Sequence, residues 1–239
     1  MFIKKRESFI LFIGMWFFIS CNKEPLPPLS PFTESCAIFA HRVNTIEELN
    51  TLLTYYKGVE LDVHFDNSTK SFFIKHDAED PSILTLEDYF QVGNANKELK
   101  YWLDFKNLDD VALELVQERL EKLDDLYKIK NKIIIESWNH KRLSSFSKQG
   151  YYTSYWTEDV TSSIEDSIQI ISKLKEILTK YQFNALSCKS TMYEVYNEKF
   201  PQYVHHYWTR YGVNEHNSIE KLCASSKTGI ILVDDRTLY

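Results

Sequence analysis

The sequence predicts an α/β fold in which eight parallel strands and their crossover helices close into a (β/α)8 TIM barrel that is small and partly irregular. Short apolar or aromatic runs alternate with longer segments of helical periodicity from residue 36 onward, a pattern typical of parallel sheets covered by helices. Eight such runs remain once one hairpin-like segment is set aside, which is the strand count of this barrel. The alternative, an open doubly wound sheet, is disfavoured because no glycine-rich nucleotide loop follows the first strand.

The barrel elements follow one another in regular order. The predicted strands are residues 36–42, 58–64, 101–106, 132–137, 151–156, 185–189, 203–208 and 229–233. The predicted helices are residues 45–56, 85–90, 108–127, 140–148, 162–181, 192–200 and 218–225, and those after the second and fourth strands are short. Asn44-Thr45 and Ser162 are start signals for two of the helices. Residues 71–76 follow the second strand across a turn-rich link, so we expect a β-hairpin strand inserted there.

The N-terminal residues carry the features of a targeting segment. Positive residues at 4–6 precede a short apolar stretch over residues 9–19, and Ser20-Cys21 follows as in a bacterial lipobox. We therefore expect residues 1–20 to be a lipoprotein signal peptide and Cys21 to be lipidated. The alternative is a plain cleaved signal with an incidental cysteine, and either interpretation predicts export.

The proline-rich residues 21–35 are then expected to be an extended tether, and residues 36–239 form the barrel domain. This organisation predicts a membrane partner reached through the N-terminal lipid anchor. The protein would be held at the bacterial cell envelope, on its periplasmic or surface face.

Composition argues against a nucleic-acid partner, and the sequence does not determine whether the cysteines form a disulfide. The formal net charge is -6, and no basic block occurs beyond the N-terminus, so a nucleic acid is not expected as a partner. Cys36, Cys188 and Cys223 show no metal-binding spacing. We interpret them as buried small hydrophobic residues, with one disulfide of undetermined pairing as the alternative. No second domain is evident, which favours a monomer.

Carboxylates on two neighbouring predicted strands indicate a metal site. Glu60 and Asp62 point to the same side of their strand, because side chains alternate between its two faces. Asp104 lies near the end of the next barrel strand and would be a third oxygen ligand. Two like charges aimed at one point need a cation between them, so the pattern predicts one divalent cation, Mg²⁺ or Ca²⁺. The alternative is the polarity of a half-exposed strand.

Two histidines and an arginine accompany these acids. His41 and His76 are candidates for a general acid and base, because imidazole titrates near neutral pH. Arg42 would clamp phosphate oxygens through its planar guanidinium, the alternative being a salt bridge to a neighbouring acid. Trp156 and Trp208 are candidates for an aromatic wall against glycerol, inositol or a sugar, or else for packing. His206 is a further candidate for the mouth of the barrel.

The order of these motifs resembles the signature of the glycerophosphodiester phosphodiesterase family, within the barrel superfamily that includes phosphatidylinositol-specific phospholipase C. The motifs are His41-Arg42, Glu60-Leu61-Asp62-Val63, His76-Asp77 and Asp104-Phe105-Lys106. Weaker similarities are Glu136-Ser137-Trp138, Tyr207-Trp208-Thr209 and the closing strand from Gly229 to Asp235. The chain departs from the family at Val43-Asn44-Thr45, where a glycine and a Pro-Glu-Asn-Thr motif are usual, and at Asp104, where glutamate is usual.

The resemblance implies an activity and a role for each matching residue. His41 and His76 would be the catalytic acid-base pair, Glu60, Asp62 and Asp104 would hold the divalent ion, and Arg42, Lys106 and Trp208 would contact the substrate. The function expected is metal-dependent hydrolysis of glycerophosphodiesters or related phospholipid headgroups, with a small phosphodiester as substrate. The alternative is a catalytically reduced surface lipoprotein that binds a phosphate-bearing or glycan ligand.

Overall fold

The computed structural model describes Phe32 and residues 36–159, 164–209 and 215–234. Its strands are β1 (Ala37–Ala40), β2 (Gly58–Asp66), β3 (Ser71–Ile74), β4 (Lys100–Phe105), β5 (Ile133–Ser137), β6 (Tyr152–Trp156), β7 (Ala185–Lys189), β8 (Val204–Trp208) and β9 (Thr228–Val233). Its helices are α1 (Ile46–Leu52), α2 (Leu86–Gly93), α3 (Leu113–Tyr127), α4 (His140–Lys148), α5 (Ile164–Lys180), α6 (Tyr193–Lys199) and α7 (Glu215–Cys223). A single 3₁₀ turn, Ser190–Met192, leads into α6.

The strands form a closed parallel barrel with one strand outside the ring. The order is β1-β9-β8-β7-β6-β5-β4-β2, and β1 pairs with β2 to close it. β3 pairs with β2 in antiparallel fashion over Val63–Asp66 and Ser71–Ile74. The predicted (β/α)8 barrel and its inserted hairpin strand are therefore confirmed.

Most element bounds agree with the prediction to within a few residues, and the largest shift is in α3, which begins at Leu113 rather than at residue 108. The difference that bears on the site is in the first strand. It ends at Ala40 rather than at residue 42, because Arg42 adopts a left-handed backbone conformation with φ of 54°. His41 and Arg42 therefore lie in the turn that follows β1. Thr45 caps α1 as its sequence predicts, by accepting a hydrogen bond from the backbone N–H of Glu48.

The barrel has one apolar core inside the ring and another outside it. The inner core is lined by Phe39, Trp102, Ile134, Tyr152, Ala185, Ile230 and Leu232. Residues that alternate with these, such as Leu61 and Leu103, belong to the larger core under the helices. Gly58 faces the interior, where an added Cβ would lie 2.4 Å from the Phe39 ring, so only glycine fits that position.

A disulfide joins Cys36, directly before β1, to Cys223 at the end of α7. For these two residues the alternative of one disulfide is confirmed and the interpretation as buried hydrophobic side chains is wrong, because the fold brings residues 187 positions apart to a Cα–Cα distance of 5.3 Å. Cys188 is buried and free, as expected. The predicted signal peptide and Cys21 lie outside the described residues, as does the tether apart from Phe32. In the described part of the chain, no helix is long and apolar enough to cross a membrane.

Candidate active site

Three carboxylates converge at the carboxyl ends of β2 and β4. The two strands pair in register, with Glu60 opposite Trp102 and Asp62 opposite Asp104. Because Trp102 lies in the inner core, Glu60, Asp62 and Asp104 all point into the barrel. Glu60 and Asp62 are each 1% exposed. Burial, together with the neighbouring charges of Asp62 and Asp104, raises the pKa of Glu60 well above its usual value.

This carboxylate triad fits a divalent cation. One oxygen from each residue lies within 4.8 Å of the others. Oxygens that share one ion at roughly 2.0–2.6 Å are separated by at most about 5 Å. A cation would also offset the repulsion between buried carboxylates. The donor set is therefore suited to a hard ion such as Mg²⁺ or Ca²⁺.

Lys106 is the charged neighbour of this triad. Its Nζ lies 2.7 Å from Asp62 Oδ1 and also contacts Asp104 Oδ2. Burial alone would lower the pKa of Lys106, but the two carboxylates raise it above its usual value. Lys106 therefore stays protonated and brings a permanent positive charge to the triad.

Asn44 holds Asp62 from the opposite side. Its Nδ2 donates to Asp62 Oδ2 over 2.7 Å, and its Oδ1 accepts from the Asp62 backbone N–H over 2.9 Å. Together with Lys106, these contacts engage both carboxylate oxygens of Asp62. From the sequence, Asn44 was predicted to belong to a helix start signal and to a departure from a family motif, and no contact with the triad was predicted for it. The missed signal is that the Asn-Thr half of that motif is retained, directly before α1.

His41 is oriented by two acids that come from different strands. Its Nδ1 lies 2.7 Å from Asp234 Oδ1, and its Nε2 lies 3.6 Å from Glu60 Oε2. A carboxylate only accepts hydrogen bonds, so Nδ1 carries a proton and Nε2 is directed toward the triad. Asp234 immediately follows β9, and no role was predicted for it from the sequence. Its position at the carboxyl end of a barrel strand is the signal that would have found it.

His76 belongs to the segment after β3 and carries its own carboxylate partner. Its Nδ1 lies 2.8 Å from Asp77 Oδ1. His64, on β2, hydrogen-bonds through Nε2 to the His76 carbonyl at 3.1 Å. The backbone N–H of Val43 donates to the Glu60 carbonyl and that of Lys75 to the Asp62 carbonyl. Carbonyls two residues apart face the same edge of a strand, so the segments that carry His41 and His76 lie along one edge of β2.

The turn after β1 accommodates the missing glycine without strain at position 43. Val43 is fully buried in the outer core, and the left-handed conformation falls on Arg42 instead. The Arg42 backbone N–H donates to Glu60 Oε2 over 2.7 Å. Its side chain is exposed, at the end of the barrel where the triad opens. The turn thus supports Glu60 through its backbone and presents a guanidinium at the mouth.

Below the triad the barrel interior contains a second polar layer. Glu136 accepts a hydrogen bond from Trp102 Nε1 over 2.8 Å and contacts Ser187 Oγ. Burial, with the nearby charge of Asp104, raises the pKa of Glu136 to about 8. The carboxyl group is therefore largely neutral at pH 7.

The prediction that His206 is available at the mouth is wrong. His206 is fully buried in this layer, because its Nδ1 accepts from the Ile230 backbone N–H and its Nε2 lies 3.2 Å from Tyr152 Oη. Burial lowers the pKa of His206 to about 3. The ring is therefore a neutral structural group.

Two indoles stand on the other half of the mouth. Trp156 ends β6 and Trp208 ends β8, and their rings stack with centroids 6.2 Å apart. Lys189, at the end of β7, pairs with Asp159. The mouth is thus charged on the side of β1, β2 and β4 and aromatic on the side of β6 to β8.

The fold is shared with solved phosphodiesterases. A glycerophosphodiester phosphodiesterase from Parabacteroides distasonis aligns with a TM-score of 0.63 at 16% identity, over 84% of this chain and 93% of that one. A putative glycerophosphoryl diester phosphodiesterase from Agrobacterium tumefaciens aligns with a TM-score of 0.67 at 12% identity, over 86% and 96%. A phosphodiesterase from Oleispira antarctica, solved with its product sn-glycerol-3-phosphate, gives 0.61 at 15% identity, over 86% and 95%.

No family model and no curated protein matches the chain. The structural neighbours confirm the resemblance inferred from the motifs at the level of the fold. A shared barrel hosts many chemistries, so the activity has to be argued from the site.

Proposed function

We propose that this protein is a phosphoric diester hydrolase of the glycerophosphodiester phosphodiesterase family, acting on glycerophosphodiesters or related phospholipid headgroups. The observation that carries the proposal is that the segments carrying two histidines lie along one edge of β2, the strand that contributes Glu60 and Asp62 to the carboxylate triad. Each histidine hydrogen-bonds an aspartate through Nδ1. The barrel shared with phosphodiesterases supports the assignment.

The proposed chemistry divides proton transfer between the two imidazoles. One accepts the proton of the attacking hydroxyl, and the other donates a proton to the oxygen of the leaving alcohol as its bond to phosphorus breaks. Asp234 and Asp77 keep the Nδ1 protons in place, which leaves each Nε2 for these transfers. Arg42 and Lys106 would neutralise the phosphate oxygens as charge develops on them.

Glu60, Asp62 and Asp104 would hold one divalent cation. That ion would supply further positive charge beside the phosphate. Asn44 and Lys106 hold the oxygens of Asp62 in place before any ion binds.

We also propose that the protein is exported and lipid-anchored through Cys21, and that it works as a monomer. The Cys36–Cys223 disulfide supports export, because disulfides persist in oxidising compartments. Labelling with a palmitate analogue, lost in Cys21→Ala, tests the anchor.

The activity is tested with bis(p-nitrophenyl) phosphate and glycerophosphocholine in the presence of Mg²⁺, Ca²⁺ or Mn²⁺. We expect metal-dependent turnover that is lost in His41→Ala and in Glu60→Ala, each compared with the native chain for folding by circular dichroism. Failure to turn over either substrate with any of the three ions, while phosphate ligands still bind, would refute the enzyme and favour a ligand-binding barrel.

A further inference from the structure

A cavity of about 430 Å³ adjoins the aromatic half of the mouth. Its walls include Lys189 and Trp208, the last residues of β7 and β8. In the ring, β7 and β8 stand opposite β2 and β4, which carry the triad. The cavity therefore lies at the carboxyl ends of the strands, where a substrate held at the triad would extend across the mouth.

A larger cavity lies at the opposite end of the barrel from the triad. It measures about 820 Å³, and its walls include Ala37, Lys57 and Lys100. Ala37 and Lys100 begin their strands, and Lys57 precedes β2. This cavity is therefore separated from the triad by the packed interior of the barrel.

The wall of the smaller cavity combines two aromatic rings, those of Trp208 and Tyr193, with hydroxyls and paired charges. Trp208 is backed by Trp156, and Ser190, Thr191 and Ser218 bring hydroxyl groups to the wall. Lys189 pairs with Asp159, and Lys221 Nζ lies 2.8 Å from Glu194 Oε1. The four charged side chains of the wall thus form two ion pairs, and their charges sum to zero.

The side chains of the cavity wall distinguish among the alcohols that a phosphodiester could carry. A second phosphate would need a surplus of cations, whereas both lysines already have carboxylate partners. A quaternary ammonium favours aromatic faces that no other cation occupies, but Lys221 Nζ already lies 5.7 Å from the centroid of the Tyr193 ring. An acyl chain would need a broad aliphatic surface, but within the described residues of the wall Met192 and Leu222 are the only aliphatic side chains.

We propose that this cavity, called here the alcohol pocket, binds a neutral polyol or sugar as the leaving alcohol of the phosphodiester. The hydroxyls of such a group both donate and accept hydrogen bonds, which matches a wall of hydroxyls, ammonium groups and carboxylates. Its C–H face stacks on the Trp208 ring. The volume falls in the range of small-molecule sites. The inference rests on the proposed phosphodiesterase activity and names its substrate class.

The test compares two diesters that differ only in the alcohol. We expect kcat/KM for glycerophosphoinositol to exceed that for glycerophosphocholine by about tenfold or more, a difference typical of one or two lost polar contacts. Equal values, or a preference for choline, would overturn the alcohol pocket while leaving the hydrolase intact. If neither diester is cleaved, the hydrolase proposal fails, and the pocket is still decided by saturation-transfer NMR with free myo-inositol.

Substitutions test whether the preference for the inositol diester arises in the alcohol pocket. Trp208→Ala should remove the preference and the inositol saturation-transfer signal, whereas Trp138→Ala should change neither. Trp138 is a suitable control because it is also an exposed indole after a barrel strand, at 54% exposure, and it does not line the pocket. Lys221→Met should lower the ratio of kcat/KM for the inositol diester to that for the choline diester. Glu194 then lacks its cationic partner, so its carboxylate can attract the choline ammonium. An unchanged ratio in both pocket variants would refute the proposal.

Discussion

The two histidine–aspartate pairs of the site differ in how the fold holds them. His41 and Asp234 are 193 residues apart and follow β1 and β9, which are neighbours in the ring. Their side chains are 15% and 23% exposed. His76 and Asp77 are adjacent in the chain, lie on the segment after β3, and are 47% and 75% exposed.

The difference separates a pair made by barrel closure from one made by local chain geometry. The His41–Asp234 contact exists only when the last strand meets the first. The His76–Asp77 contact needs no long-range folding, and water can replace the aspartate because exposed ion pairs contribute little. We therefore expect the same substitution of the aspartate to lower kcat much more in the His41–Asp234 pair than in the His76–Asp77 pair.

Loss of either imidazole should have the largest effect. His41→Ala and His76→Ala should each lower kcat by about 10²- to 10⁴-fold, because each removes one proton-transfer group. The pairs should differ in chemical rescue: added imidazole should restore activity to His76→Ala, whose site is open to solvent, and not to His41→Ala. Rescue of both variants to the same extent would contradict the contrast in accessibility.

Substitution of the aspartates tests the comparison directly. Asp234→Asn should lower kcat on the order of 10²-fold, because the amide no longer enforces the Nδ1 tautomer of His41. Asp77→Asn should lower it by less than about threefold, since the pair is exposed. The measurement is kcat for both variants on one substrate at one pH. Equal losses would show that Asp77 is as strongly engaged as Asp234.

The turn that carries His41 also supports the triad, and Asn44 is the residue to remove. Asn44→Ala should weaken divalent-ion binding by about 10- to 100-fold, the usual cost of losing a group that orients a metal ligand. Asn107→Ala is the matched control, because Asn107 also makes two hydrogen bonds to β2, both to the Phe65 backbone. Calorimetric titration with the divalent ion should find weaker binding in Asn44→Ala than in Asn107→Ala. The control substitution should lower the stability of the fold and leave ion binding unchanged.

Burial of Glu136 makes the stability of the fold depend on pH. Its pKa is raised from 4.5 to about 8 in the folded protein, so the folded state binds the extra proton between these values. Stability in the presence of EDTA should therefore fall as pH rises from about 4.5 to about 8. Glu136→Gln, which mimics the protonated carboxyl, should reduce this slope in thermal denaturation, and the slope that remains is due to Glu60 and Asp104, whose pKa values burial also raises. Rate–pH profiles of variants in the two histidine–aspartate pairs are best compared in the Glu136→Gln protein, in which the residue at position 136 does not titrate.

The disulfide should have the smallest effect on activity. It anchors the start of β1, the strand that leads to His41. Its reduction should lower the free energy of unfolding by about 2–5 kcal/mol and change kcat at 25 °C little. The melting temperature with and without dithiothreitol measures this cost. Cys188→Ala is the control, because its response to dithiothreitol should equal that of the native chain.

Much of the fold and of the charged site could be predicted from the sequence, because both depend on periodicity. Alternation along β2 places Glu60 and Asp62 on one face wherever the strand lies. Parallel strands end at the same side of a barrel, so Asp104 could be added as a third acid. The start of α1 followed from the capping preference of Thr45.

Other features were decided only by the tertiary structure, because they depend on distance across the fold. The Cys36–Cys223 pairing and the contact of Asp234 with His41 join the two ends of the chain, and no local pattern encodes such separations. The burial of His206 depends on whether a strand residue lies at the open mouth of the barrel or in the polar layer inside it. The chain by itself thus determined which chemical groups are present and their order along the strands, and barrel closure decided which of them meet.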